Sequence, residues 1–272
     1  MVNDHHRVHL RKPVAVTSDL LTLHVQGAVA HLRLNRPDKR NALNDPLIAA
    51  LHTQFIRWPE GVRAVVLSGE GPHFCAGLDL SELTDRDMTQ AVMHSRSWHA
   101  AFEQIQFGSV PVVSVLQGAV VGGGLELAAS THIRVAEASA FYGLPEGQRG
   151  IFVGGGGSVR IPRLIGMART TDMMLTGRVY SADEGLQIGL SQYLVEDGKG
   201  LEKAFALAEK IAGNAPLSNF AVMQALPRIG EMGQAEGLFT ESLIASMAST
   251  DPAAKARMGA FLQGKAAKVS KA

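Results

Sequence analysis

Val112-Val113-Ser114-Val115-Leu116 followed by Val120-Val121-Gly122-Gly123-Gly124-Leu125-Glu126 is the stretch whose reading decides the fold. From Val110 to Ala129 the chain is almost continuously apolar and about the length of a bilayer span. It also holds Pro111, Gln117, Glu126 and four glycines, and a charge deep in a bilayer is costly. A buried strand, a glycine turn and a buried helix fit better, and no membrane span is expected.

The same unit recurs outward from this point. Upstream, Arg63 to Ser68 is a short β-branched run leading into a Gly-rich turn that ends in Phe74-Cys75-Ala76-Gly77-Leu78-Asp79. Downstream, His132 to Ala136 and Ala140 to Tyr142 read as short strands, the second leading into Gly143-Leu144-Pro145-Glu146. Leu20 to Val25 and Val29 to Leu34 flank Gln26-Gly27 as a hairpin. Asp45 reads as an N-cap with Pro46 at the first helical position, opening a helix to about Arg57. A polar-faced helix is expected over Asp85 to Ile105. Strands that run into glycine turns and then helices indicate α/β architecture with parallel strands, and such turns are where these folds hold ligands. From Leu201 the pattern is helical only: Leu201 to Ala212, Ser218 to Ile229, Ala235 to Ala248 and Pro252 to Gln263. The expected organisation is a disordered lead-in over 1–13, a core with the site over 14–197, and a helical region over 198–272 whose apolar residues pack on another subunit.

Composition narrows the function classes. Lys+Arg 26 against Asp+Glu 25 gives a formal net charge of +1, which argues against a nucleic-acid footprint or a membrane-surface patch. The single cysteine, Cys75, precludes an intrachain disulfide and fits a reducing, cytoplasmic setting. The polar, His-rich start from Met1 to Pro13 has no signal-peptide core. Ten histidines show no metal spacing of the H-E-x-x-H kind, so no metal is expected.

Glycines after a strand let backbone approach a ligand, and the first N–H groups of the next helix lack intrahelical partners. Such groups can hold an oxyanion. Glu126 lies almost one turn beyond Gly123 and can reach the same pocket. Glu146 follows twenty residues later. Two carboxylates facing one site can divide acid and base roles. Tight packing with a capping glutamate, or a solvated loop residue, accounts for either one alone. Gly154-Gly155-Gly156-Gly157 before Ser158-Val159-Arg160 reads as a phosphate cradle or as a mobile loop. His94 and His99 read as surface or packing residues, and Cys75 as a small buried apolar one. Met88, Met93, Trp98 and Phe102 are candidates for an apolar pocket wall, or for core. Neither G-x-G-x-x-G nor G-x-S-x-G occurs.

Several segments together resemble the enoyl-CoA hydratase/isomerase (crotonase) family. They are Leu34-Asn35-Arg36-Pro37 with Asn41-Ala42-Leu43, the 74–80 turn, Gly122 to Ala128, Pro145-Glu146 and Arg160 to Gly166. Leu175 to Arg178 and Ala182 to Leu190 extend the likeness, which spans about Leu20 to Phe261. It implies a spiral ββα core with a helical C-terminal region that trimerises, commonly as a dimer of trimers. It further implies backbone oxyanion donors at Leu78 and Gly123, acid/base carboxylates at Glu126 and Glu146, and a water-seating N–H at Gly154. The implied substrate is an acyl-CoA thioester, with no cofactor beyond the coenzyme A it carries. Lys39, Arg40, Ala76 and Lys265 are the candidate CoA contacts. Possession of both glutamates favours hydration of a 2-enoyl-CoA. Double-bond isomerisation through Glu146 alone, or a non-catalytic CoA-ester or RNA binder, are the alternatives. Three positions depart from the pattern: Val153 stands for a proline, His132 for an aspartate, and Gly264, beside Lys265, for a phosphate-facing lysine.

Overall fold

The computed structural model describes residues 18–82 and 85–265; the expected lead-in over 1–13 lies outside them. The first hairpin is β1 (Leu21–Gln26) and β2 (Val29–Leu34), paired antiparallel around Gly27. Strands β3 (Ala64–Gly69), β4 (Val112–Leu116), β6 (Ile133–Glu137) and β9 (Tyr193–Val195) then add in parallel, in the order β1-β2-β3-β4-β6-β9. A second sheet joins β5 (Ala119–Val121), β7 (Phe141–Gly143) and β8 (Tyr180–Ser181). In it β5 and β7 run parallel.

Every residue of β3 and β4 is buried, because both faces of the large sheet are covered. Val65 and Leu67 face a core shared with α1 (Asp45–Ile56), α2 (Met88–Gln106) and α3 (Gly123–Ala129). Ala64 and Val66, one pleat away, face α7 (Gly200–Ala212). Ala204, Ala208 and Ala212 make one small-residue stripe along α7, which lets that helix sit closely on β2, β3, β4 and β6. The first of the expected C-terminal helices therefore covers the sheet. Beyond it, α8 (Pro216–Ile229), α9 (Gln234–Thr250) and α10 (Pro252–Leu262) pack mainly in sequence on one another. Phe220, Leu226, Phe239, Leu243, Phe261 and Leu262 on these helices are exposed. Helices α4 (Gly157–Ile165) and α5 (Met167–Thr176) lie between β7 and β8 of the second sheet, and α6 (Ala182–Ile188) leads from β8 back to β9 of the first.

Two helix starts differ from expectation for local reasons. Asn44, extended at φ −121°, caps α1 by accepting from the Leu47 N–H, so Asp45 lies inside the first turn. Asp87 and Gln90 form a capping box that starts α2 at Met88 rather than Asp85. Among the described residues no helix is long and apolar enough to cross a membrane; the apolar run from Val110 divides into β4, β5 and α3.

Candidate active site

Strands β5 and β7 end side by side. Val121 pairs with Gly143, and the Gly122 N–H donates to the Gly143 carbonyl at 2.9 Å. The chain leaves β5 into α3, which carries Glu126, and leaves β7 into Pro145-Glu146. Gly122 makes the first exit with φ 54° and ψ −125°, a conformation foreign to L side chains. A Cβ there would also lie 2.6 Å from Glu146 Oε1.

The turn over 74–79 is fastened beside this junction by polar groups from the chain after β2. Asn41 is buried with φ 55°; its side chain accepts from the Arg36 N–H and donates to the Glu70 and His73 carbonyls. Arg36 meets Asp79 at 2.8 Å, both largely buried. Arg36 and Ser81 hold the Asp79 carboxyl down to about 2. Leu43 bridges Leu78, and Cys75 bridges Val120. Gly77, at φ 95°, lets the two turns approach: a Cβ there would stand 2.7 Å from the Val121 carbonyl and 3.3 Å from Gly123 N. Among the described residues the N–H groups of Leu78 and Gly123 have no hydrogen-bond partner.

The two carboxyls are buried in unlike surroundings. Glu126 is 3% exposed, and its Oε1 accepts from the Gly155 N–H at 2.9 Å and the Gly157 N–H at 2.7 Å. Gly157 opens α4, so this oxygen sits where that helix presents free N–H groups. Burial lifts the Glu126 carboxyl to about 7; the Gly157 hydrogen bond opposes the lift and the Glu146 charge adds to it. Glu146 is 7% exposed, its Oε2 has no partner among the described residues, and burial raises its proton affinity against a nearby Arg149.

Leu78, Gly123, Glu126, Glu146 and Gly154 all line one cavity of about 320 Å³. Ala91, His94, Ser95 and Trp98 of α2 form one wall; Ile151, Phe152, Val153 and Gly155 form another. Their spacing on α2 is that of one helical face, the signal that marks them in the sequence. His94, expected at the surface or in packing, lines the cavity, with Nε2 2.8 Å from Asp45 Oδ1. Met88 and Met93 are exposed and outside the cavity lining, while Trp98 is wall and Phe102 is core behind it.

Other expectations resolve differently. The tetraglycine N–H groups of Gly155 and Gly157 grip Glu126, so they are not free for a phosphate. Lys39, Arg40, Ala76 and Lys265 are outside the cavity lining. Lys39 and Arg40 are exposed on the turn whose Arg40 carbonyl accepts from the Ala76 N–H, and Lys265 is exposed after α10. His132 lies apart from the cavity lining. It accepts from the Val112 N–H through Nδ1 and meets the Gln106 carbonyl through Nε2, tying α2 to β4. Burial brings its imidazole down to about 4, so it is neutral and adds no charge to the site. Cys75 is fully buried, and burial lifts its thiol to about 12.

The family model described as Enoyl-CoA hydratase/isomerase matches residues 24–265. A short-chain-enoyl-CoA hydratase of Clostridium acetobutylicum is 34% identical over 76% of this chain and 80% of its own length. The 2,3-dehydroadipyl-CoA hydratase of Escherichia coli K12 is 31% identical over 88% and 93%. Among solved structures, a Rhodopseudomonas palustris CGA009 protein provisionally named an enoyl-CoA hydratase is 57% identical. Its TM-score is 0.89, over 93% of this chain and 98% of that one.

Proposed function

Because the chain belongs to the enoyl-CoA hydratase/isomerase family, whose members act on CoA thioesters, we propose that it adds water reversibly to a 2-enoyl-CoA, giving a 3-hydroxyacyl-CoA. One observation carries the reading: two buried carboxyls share a cavity, one gripped through a single oxygen and the other with a bare oxygen. A gripped carboxylate is suited to take a proton, and an unpartnered buried carboxyl to hold one.

Water bound between them loses a proton to Glu126 as its oxygen bonds to Cβ of the enoyl group. Electron density moves through Cα to the thioester oxygen, which the Leu78 and Gly123 N–H groups hold. Glu146 then delivers its proton to Cα, on the face from which the water came. The pair ends with its proton exchanged between the two carboxyls, and the next water restores it. In this reading Gly154 borders the water, and coenzyme A enters only as part of the substrate. The CoA phosphates fall to the exposed Lys39, Arg40 and Lys265, with Ala76 on the turn that hydrogen-bonds the Arg40 carbonyl. The exposed apolar residues of α8 to α10 support a homotrimer or dimer of trimers, and the lone buried Cys75 supports a cytoplasmic setting.

The test is hydration of crotonyl-CoA by Glu126→Gln and Glu146→Gln. Each is expected to lose about 10²–10⁴-fold in kcat, the usual weight of a general acid or base, while CoA-ester binding persists. Near-normal hydration by either variant overturns the assignment. Full double-bond isomerisation by Glu126→Gln, with hydration absent from the unaltered protein, would instead establish the one-carboxylate chemistry.

A further inference from the structure

The Gly154 carbonyl and the Gly155 N–H are the two ends of one peptide unit. At one end Ser95 Oγ donates to the Gly154 oxygen at 2.6 Å. At the other the Gly155 N–H donates to Glu126 Oε1 at 2.9 Å. The hydroxyl hydrogen bond draws electron density toward the carbonyl oxygen and leaves the N–H a better donor, since hydrogen bonds in series polarise one another. The series extends backward along α2. His99 Nε2 lies 3.4 Å from Ser95 Oγ, and Arg96 Nη1 lies 3.4 Å from His99 Nδ1. With Nδ1 facing a donor, the neutral ring carries its proton on Nε2 and donates to Ser95, so every donor points toward Glu126.

We propose that Ser95 is a positioning residue for the hydration step, strengthening through the 154–155 peptide the grip on Glu126. The claim rests on the hydratase reading above and adds to it a group outside the reacting pair. Ser95 lines the cavity, yet its proton is committed to the Gly154 carbonyl, which leaves it acting through the peptide rather than on substrate. The other charged groups around Glu126 are Glu146 after β7 and Arg160 of α4. Arg160 donates to the Gly155 carbonyl at 3.1 Å and lies within the field of Glu103 on α2. Arg149 flanks Glu146. None of these is removed by changing Ser95.

The sign follows from the chain of donors. Without the hydroxyl, the Gly155 N–H donates less strongly, the Glu126 anion is held less well, and its proton affinity rises further. The experiment measures the pH profile of crotonyl-CoA hydration for the full chain, for Ser95→Ala and for Ser95→Thr, with Glu126→Gln as reference. Ser95→Ala is expected to move the acid limb of kcat/KM up by about half a pH unit. It should lower kcat several-fold and leave KM within about twofold, and Ser95→Thr should restore both, because it keeps the hydroxyl. His99→Ala should shift the limb the same way by less, which keeps the test open if Ser95→Ala folds poorly. An unmoved acid limb in Ser95→Ala, or equal losses in Ser95→Ala and Ser95→Thr, overturns the proposal while leaving the hydratase reading intact. Active Glu126→Gln would remove that reading itself.

Discussion

Glu126 is held in an expensive state. A carboxyl lifted from 4.5 to about 7 binds its proton more tightly in the native chain than in the unfolded one. Between these values the native state carries more protons, so stability falls as pH rises through that window and the full penalty stands above about 7. Glu126→Gln removes the titration while keeping an oxygen for the Gly155 and Gly157 N–H groups. The variant is expected to be more stable than the parent near pH 8, by on the order of a few kcal/mol, and the gap should close toward pH 5. Thermal melts at the two pH values check this; an equal gap at both would refute it. The glycine turn makes Glu126 legible as a site residue in the sequence. Its two N–H partners are not, because they lie 29 and 31 residues away and meet it only after β6, β7 and the loop have folded back.

Among elements, the strongest constraint sits at the exit from β5. Gly122→Ala would place a methyl 2.6 Å from Glu146 Oε1 on a backbone that L residues avoid. It should therefore displace an acid without touching either carboxylate chemically. The expected result is loss of hydration by about 10²-fold or more, with binding of a CoA ester retained; wild-type kcat would contradict it. Long periodic elements were readable from the chain: β4 falls where the apolar run places it, and α7 to α10 begin and end close to their sequence signals. Strand β5 is not legible in the sequence, because three residues between two glycine turns carry no alternation of their own. Helix α1 starts one residue before its sequence suggests, since Asn44 and Asp45 are both good caps and only the extended backbone of Asn44 decides between them. Asn44→Ala should cost about 1 kcal/mol in denaturant unfolding, and an unchanged midpoint would argue against the cap.

At the scale of the whole molecule, α8 to α10 leave Phe239 66% exposed and Leu262 78% exposed, on helices that contact one another more than the sheet. Apolar surface gathered in this way marks association. Light scattering after gel filtration should report a trimer or a multiple of it, and Phe239→Asp with Leu243→Asp should yield smaller species with unchanged helical circular dichroism. A monomeric parent protein would defeat the assembly proposal. This face was foreseeable as helical and apolar, whereas the closeness of α7 to the sheet depended on recognising Ala204, Ala208 and Ala212 as one stripe. None of the cavity lining comes from a named strand, so the sheets act as a frame. Within that frame the separation of the two acids is set by a ladder only three residues long, Ala119 to Val121 against Phe141 to Gly143. Such a ladder can be shifted only in whole-residue steps of about 3.3 Å, each of which also turns the chain to its opposite face. The spacing behaves as a notch rather than a dial: neighbouring loops can drift through descent while the gap between proton donor and acceptor keeps its value.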